Sequence, residues 1–349
     1  MLSNFKFSRH LSACALALTA LTSAAQAAEK FPGYDRFDIA AAHRAWPVQG
    51  AIWYPAANRS YVGVVGDNPV FEGTRVLMGP EVKAGKHPLV VLSHGSGGNM
   101  DGLGWLSSEL VKAGYMVLAV NHPGSTSGDS SPRRSARLGE RARDLSAALD
   151  TFLADPYFAD HVDREKIVSL GFSLGGTTVL QSVGLQFDKA LTEEFCDAAI
   201  EVAGCDFYRK GGVDFSKVDA ALFEGNFSDS RISAAIAVDP GFTVGATAES
   251  VAAVEVPVLL ITLGTKKANW KATDTGPSGS GLDTRLENGQ PVLIEPANHF
   301  SFLAHCKPAG ADILAEEGED PICDEPEGGD RGQAHSKVVK AVADFLAKL

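Results

Sequence analysis

Between Leu89 and Leu263 the chain alternates short, nearly continuous apolar runs with stretches of helical periodicity, and this alternation restricts the folds open to it. Leu89-Val90-Val91-Leu92, Tyr115 to Val120, Ile167 to Leu170, Ile232 to Val238 and Val256 to Leu263 read as strands. Runs that are apolar on both faces belong to strands covered on both sides, as in a parallel sheet flanked by helices. Between the second and third runs, Leu138, Ala142, Leu145, Leu149 and Phe152 recur at steps of three and four residues. This spacing predicts one apolar stripe on a helix, with Glu140, Arg141, Arg143 and Asp144 on its other faces, ended by Asp155-Pro156. Val338, Val342 and Phe345 predict a closing helix. Such repetition implies an α/β fold with right-handed crossovers.

The flanks of this core differ from it. Phe37 to Ala42 and Gln49 to Tyr54 read as strands with no helix between them, predicting an antiparallel edge. Residues 184–231 interrupt the alternation and suggest a small helical insertion over one end of the sheet. Residues 274–290 and the acidic, Gly- and Pro-rich stretch 308–331 read as loops. The 349 residues are 45% apolar and 21% charged, which excludes a disordered chain, a coiled coil and a collagen-like fibre. A formal charge of −12, with no dense Lys/Arg patch, argues against nucleic acid and anionic membranes as partners.

Lys6 and Arg9 precede an apolar run from Leu11 to Ala25 that leads into Ala25-Gln26-Ala27. A basic start, a short apolar core and small residues at −3 and −1 predict a signal peptide, residues 1–27, cleaved after Ala27. The run is too short and too rich in Ala, Ser and Thr for a stable membrane anchor, so a periplasmic or secreted protein is expected. The apolar stretch follows Cys14 instead of preceding it, which argues against lipidation there. Removal of the peptide leaves Cys196, Cys205, Cys306 and Cys323. An even count in an exported chain predicts disulfides, and Cys196–Cys205 and Cys306–Cys323 each close a short loop. No CxxC, HExxH or EF-hand spacing occurs, so neither a metal nor an organic cofactor is expected.

The residues that carry chemistry lie at the ends of the apolar runs. Gly171-Phe172-Ser173-Leu174-Gly175-Gly176 follows one strand and opens an apolar stretch that can be helical. A serine on such a turn is exposed only if its neighbours are small, and the helix behind it offers free N–H groups to a developing oxyanion. Ser173 is therefore the candidate nucleophile. A hydroxyl needs a base, and the base a carboxylate. His299 follows the apolar Pro291 to Ile294 after a short loop and is preferred to His305. Asp239 ends an apolar strand in Val238-Asp239-Pro240-Gly241, whereas its rivals Asp274 and Asp283 lie in a polar loop. Ser93-His94-Gly95-Ser96-Gly97-Gly98 supplies an oxyanion loop, with the N–H groups of Ser96 and Leu174 as donors. His94 is read as orienting that loop, and His122, in Asn121-His122-Pro123-Gly124, as a candidate substrate-binding residue or a turn cap. Trp270 is a candidate pocket wall.

The HGSGG loop, the NHPG loop, GFSLGG, VDPGF and NHFSFL, in this order, resemble the α/β-hydrolase superfamily. The likeness is to its branch of predicted dienelactone hydrolases and platelet-activating-factor acetylhydrolase-like esterases, over roughly residues 35–305 and the last helix. It implies an α/β-hydrolase fold: a mostly parallel eight-stranded sheet with helices on both faces. It also implies Ser173 as nucleophile, Asp239 as acid and His299 as base. Dienelactone hydrolases proper resemble a cysteine design, and here the elbow holds Ser173. The expectation is a serine hydrolase of small or short-acyl carboxylic esters. The alternatives are an amidase with the same triad, or a non-catalytic binding protein on a hydrolase scaffold.

Overall fold

A computed structural model describes residues 31–198, 202–265 and 268–349; the expected signal peptide lies outside them. β1 (Gly33–Ile39) and β2 (Val48–Tyr54) pair antiparallel from Gly33 opposite Tyr54 to Ile39 opposite Val48. A second hairpin follows, β3 (Tyr61–Val65) with β4 (Thr74–Met78), and β4 runs parallel to β1. The alternating core then begins with β5 (His87–Ser93), α1 (Gly104–Lys112) and β6 (Met116–Val120). A small hairpin, β7 (Ser125–Thr126) and β8 (Asp129–Ser130), precedes α2 (Pro132–Ser135) and α3 (Leu138–Ala154). β9 (Val162–Phe172) leads into α4 (Leu174–Ser182). Residues 184–231 contain α5 (Lys189–Ala198), α6 (Ala203–Lys210) and α7 (Ala220–Phe223). β10 (Ala234–Val238), α8 (Ala248–Ala252), β11 (Val258–Thr265), β12 (Ala268–Asn269), α9 (Leu282–Arg285) and β13 (Gly289–Ile294) follow. α10 (Gly310–Glu317) and α11 (Arg331–Leu346) close the chain.

The strands form one mostly parallel sheet in the order β12-β11-β10-β9-β5-β6-β2-β1-β4-β3, with β13 also paired to β11. From β6 through β5, β9, β10 and β11 to β13 every pairing is parallel. On one face Leu145 and Leu149 of α3 and Val179 and Leu180 of α4 cover Val91, Leu118 and Leu260. On the other, Leu106 and Leu110 of α1 and Val338, Val342 and Phe345 of α11 cover Val90, Val117 and Ile261. Each of these fully buried side chains contributes about 1.5–3 kcal/mol relative to exposure, which is why the continuous apolar runs specify two covered faces. The crossovers bring the loops after β5, β6, β9, β10 and β13 to the carboxyl end of the parallel strands, where α/β sheets hold their ligands.

Three expectations need correction. The described residues form eleven strands in the sheet, not eight. The β1–β2 pair is antiparallel as expected but is not the edge, because β4 and β3 lie beyond it. Most of β3 is exposed, so it lacks the buried alternation that marks a strand in sequence. The 308–331 stretch is not all loop: it contains α10, whose apolar stripe is too short to register because Leu314 is its one large buried side chain. Cys196–Cys205 links α5 to α6 and Cys306–Cys323 spans α10, with S–S distances of 2.01 and 2.05 Å. Both pairings match the sequence reading.

Candidate active site

Ser173 sits between β9 and α4 with φ 56° and ψ −120°, a backbone conformation that costs energy for a side-chain-bearing residue. Its turn is held by a Ser173 N–H bond to the Val238 carbonyl at 2.9 Å. Two flanking glycines make the turn possible. A Cβ at Gly171 would lie 2.1 Å from the Gly175 carbonyl oxygen, and one at Gly175 would lie 2.0 Å from that of Ser93. The strand-turn-helix spacing in the sequence thus produces an elbow that pushes the Ser173 hydroxyl outward.

Asp239 follows β10 with φ 42° and is fully buried. Its Oδ1 accepts the Leu263 N–H at 2.7 Å and its Oδ2 lies 2.9 Å from His299 Nδ1. Burial raises the Asp239 pKa from its ordinary value, while the bonds from His299 and the Leu263 N–H oppose that shift. His299 opens a 3₁₀ turn after β13, and its Nε2 lies 3.1 Å from Ser173 Oγ. With Asp239 ionised, Nδ1–H donates to the carboxylate and Nε2 is left to accept the Ser173 proton. Ser173 and His299, 126 positions apart in the sequence, are joined by one hydrogen bond.

The imidazole is enclosed by aromatic rings: Trp270 stacks on it at 4.3 Å and 14°, and Phe172 lies at 4.6 Å. Trp270 therefore walls His299 itself. The rival residues serve elsewhere. His305 packs against the His335 ring at 5.1 Å. Asp274 is a turn organiser, its Oδ1 accepting the Gly276 N–H at 2.8 Å and its Oδ2 the Ser278 hydroxyl at 2.7 Å. Asp283 has a buried, unpartnered Oδ1, and burial raises its pKa.

The HGSGG loop runs directly against the elbow, since a Cβ at Gly95 would lie 3.2 Å from Ser173 Cβ. Leu174 is the first residue of α4, so its N–H has no partner within the helix. Ser96 is exposed, and among the described residues its N–H makes no hydrogen bond. The Gly95 carbonyl, on the same peptide unit as the Ser96 N–H, accepts from Gly98 N–H at 3.1 Å and from His94 Nδ1 at 2.6 Å. The His122 N–H donates to His94 Nε2 at 3.2 Å, which fixes His94 as the Nδ1–H tautomer. Burial holds the His94 pKa well below its ordinary value, consistent with a neutral ring.

His122 does not face a substrate pocket. It is fully buried, its Nε2 2.9 Å from Ser93 Oγ and its Nδ1 2.9 Å from Asp144 Oδ2. Burial pushes its pKa down to about 3. It belongs to a buried polar network that sequence reasoning missed. Asp144 also accepts from His43 Nε2 at 2.8 Å and from Arg44 Nε and Nη2 at 2.8 and 2.7 Å. Arg141 donates to Thr178 Oγ1 at 2.9 Å, to Ser93 Oγ at 3.2 Å, and to Ser125 Oγ and the His94 carbonyl. One guanidinium thereby joins the loops after β5 and β6 to α4. Burial lowers its pKa to about 9, so it remains charged at neutral pH.

A family model described as alpha/beta hydrolase fold matches residues 88–199, from β5 through the elbow. A ferulic acid esterase from Streptomyces cinnamoneus superposes with a TM-score of 0.57 at 19% identity, over 93% of this chain and 92% of that one. The chain has the α/β-hydrolase fold. A dienelactone hydrolase-like promiscuous phosphotriesterase from metagenomic libraries superposes on this hydrolase fold with a TM-score of 0.51 at 14% identity, over 90% and 98% of the two chains. None of the curated proteins matches the sequence. Among the described residues no helix is long and apolar enough to cross a membrane. The two disulfides are of the kind kept in oxidising compartments.

Proposed function

We propose that the protein is an exported serine hydrolase of carboxylic esters with small or short acyl groups, acting through Ser173, His299 and Asp239. The observation that carries this reading is His299 bridging Ser173 Oγ at 3.1 Å and Asp239 Oδ2 at 2.9 Å. Ser173 Oγ attacks the ester carbonyl while its proton passes to His299 Nε2. The Asp239 carboxylate holds Nδ1–H and stabilises the imidazolium that forms. The oxyanion takes the N–H groups of Ser96 and Leu174, and each such donor is typically worth about 10²–10³ in kcat. Collapse expels the alcohol, which takes its proton from His299. Water, deprotonated by His299, then releases the acid from the acyl-enzyme. Trp270, stacked on His299, covers one face of the base.

The esterase and dienelactone hydrolase-like names of the superposed proteins support ester cleavage over amide cleavage. Turnover of p-nitrophenyl esters from acetate to palmitate by the chain from Ala28 tests the proposal. Hydrolysis of the short esters that is lost in Ser173→Ala is the expected result. No hydrolysis at any length would count against it.

A further inference from the structure

The acidic stretch after Cys306 takes no part in the mechanism above, yet its far end returns to the loop that carries His299. Asn298 caps that loop: its Oδ1 accepts the Phe300 and Ser301 N–H groups at 2.9 and 3.0 Å, and its own N–H donates to Ser301 Oγ at 2.9 Å. Both cap residues are gripped from outside. Asn298 Nδ2 donates to the Asp324 carbonyl at 2.8 Å, and Ser301 Oγ, fully buried, donates to Glu325 Oε2 at 2.5 Å. Glu325 Oε1 is held by Arg331 Nε at 2.7 Å. Arg331, itself buried at the start of α11, also donates to the Ala304 and Ile322 carbonyls at 2.9 and 2.6 Å. One guanidinium therefore ties the end of the His299 loop to the stretch beside Cys323. The Cys306–Cys323 bridge closes the same ring covalently. On the opposite side, Glu72 N–H bonds the His305 carbonyl and Lys307 N–H the Val70 carbonyl, both at 2.8 Å.

We infer that Glu325, backed by Arg331 and the Cys306–Cys323 bridge, is a positioning residue for His299, acting through Ser301 and Asn298. The inference rests on the reading of His299 as the base. His299 must keep two hydrogen bonds at once, one on each ring nitrogen, and it stands on a single 3₁₀ turn. Such a turn has little rigidity of its own. The charged clamp on residues 298 and 301, on either side of the imidazole, supplies the rigidity that the turn lacks. Misplacing a reacting group by an ångström lowers the rate of the chemical step with little effect on substrate binding.

The test compares kcat and KM for p-nitrophenyl acetate in wild type, Glu325→Ala, Glu325→Gln, Glu325→Asp and the Cys306→Ser/Cys323→Ser pair. Ser173→Ala and Glu327→Ala serve as references, and all are measured well below their melting midpoints. Glu327 is exposed and lies outside the clamp. The expected result is a loss of about tenfold in kcat for Glu325→Ala, with KM within about twofold. Glu325→Gln, which still accepts from Ser301 Oγ, recovers part of that loss, and the cysteine pair loses kcat in the same direction. Glu327→Ala matches wild type. Should Glu325→Ala fail to fold, Glu325→Asp carries the test, since it keeps the charge facing Arg331 but is one methylene short of Ser301. Wild-type kcat in the Glu325 variants beside an inactive Ser173→Ala would overturn the positioning role alone. A change confined to KM or to the melting midpoint would do the same. Turnover surviving in Ser173→Ala would overturn the underlying reading of the site.

Discussion

Asp144→Asn is a demanding test of the buried network behind the HGSGG loop. The Asp144 carboxylate is fully buried and accepts four hydrogen bonds: His43 Nε2 and Arg44 Nε on Oδ1, Arg44 Nη2 and His122 Nδ1 on Oδ2. An asparagine of the same shape has one acceptor oxygen, so its NH₂ must face two of these donors. The charge disappears as well, leaving Arg44 with Glu140 as its remaining ion pair and depriving the buried Arg141 of the carboxylate that raises its pKa. Removing one partner of a buried ion pair typically costs about 3–5 kcal/mol, a large share of the ~5–15 kcal/mol that holds a domain folded. Equilibrium urea unfolding at pH 7, with the disulfides intact, should show a lower midpoint and an unchanged slope. Adding Arg44→Met should recover part of the loss, because it removes two of the four donors left facing the amide, while Glu140 keeps Arg137 as its partner. The His122, Arg44 and His43 bonds together lower the Asp144 pKa against burial, so its stabilisation is present above the unfolded carboxylate range and is lost as pH falls through the folded value. Asp144→Asn should remove that part of the acid sensitivity. A variant within about 1 kcal/mol of wild type would refute the view that this carboxylate neutralises the buried cations.

Asp239→Asn should lower kcat by about 10⁴, because the amide no longer holds His299 as the Nδ1–H tautomer; steady-state ester kinetics will show it. Gly175→Ala should lose at least about 10² in kcat/KM, since its Cβ would lie 2.0 Å from the Ser93 carbonyl oxygen and must part the elbow from the HGSGG loop. His335 is stacked on Trp105 at 3.6 Å, and burial pushes its pKa down from 6.5 to about 4. The unfolded chain therefore binds this proton first, and stability should fall by about 3 kcal/mol as pH drops from 6.5 towards 4. His335→Gln should flatten that slope in unfolding midpoints measured across the range.

The core and the site were legible to different depths. Continuous apolar runs marked β5, β6, β9, β10 and β11 because burial on both faces leaves no room for polar alternation. Ser173 and Asp239 could be singled out because each follows such a run, and His299 because it follows the short apolar stretch Pro291 to Ile294; the structure brings the three together. The buried ionic network could not be read this way. Glu140, Arg141 and Asp144 look like the solvated side of α3; Glu140 and Asp144 are buried against Arg44 and His43, about a hundred positions earlier, and Arg141 against Ser93, Ser125 and Thr178. His122 was misplaced for the same reason, since its partner Asp144 is fixed by tertiary packing and not by the NHPG turn. The hairpin β3–β4 is short and largely exposed, so it left no hydrophobic signal.

The central claim is that Ser173 is a nucleophile served by His299. It is tested most directly by treating the protein with a fluorophosphonate and locating the adduct by peptide mass spectrometry, alongside Ser173→Ala and His299→Ala. Stoichiometric labelling of Ser173 is expected in wild type, none in Ser173→Ala and strongly slowed labelling in His299→Ala, with loss of ester turnover in step with the label. An unlabelled Ser173 in folded protein, or labelling at full rate without His299, would contradict that claim.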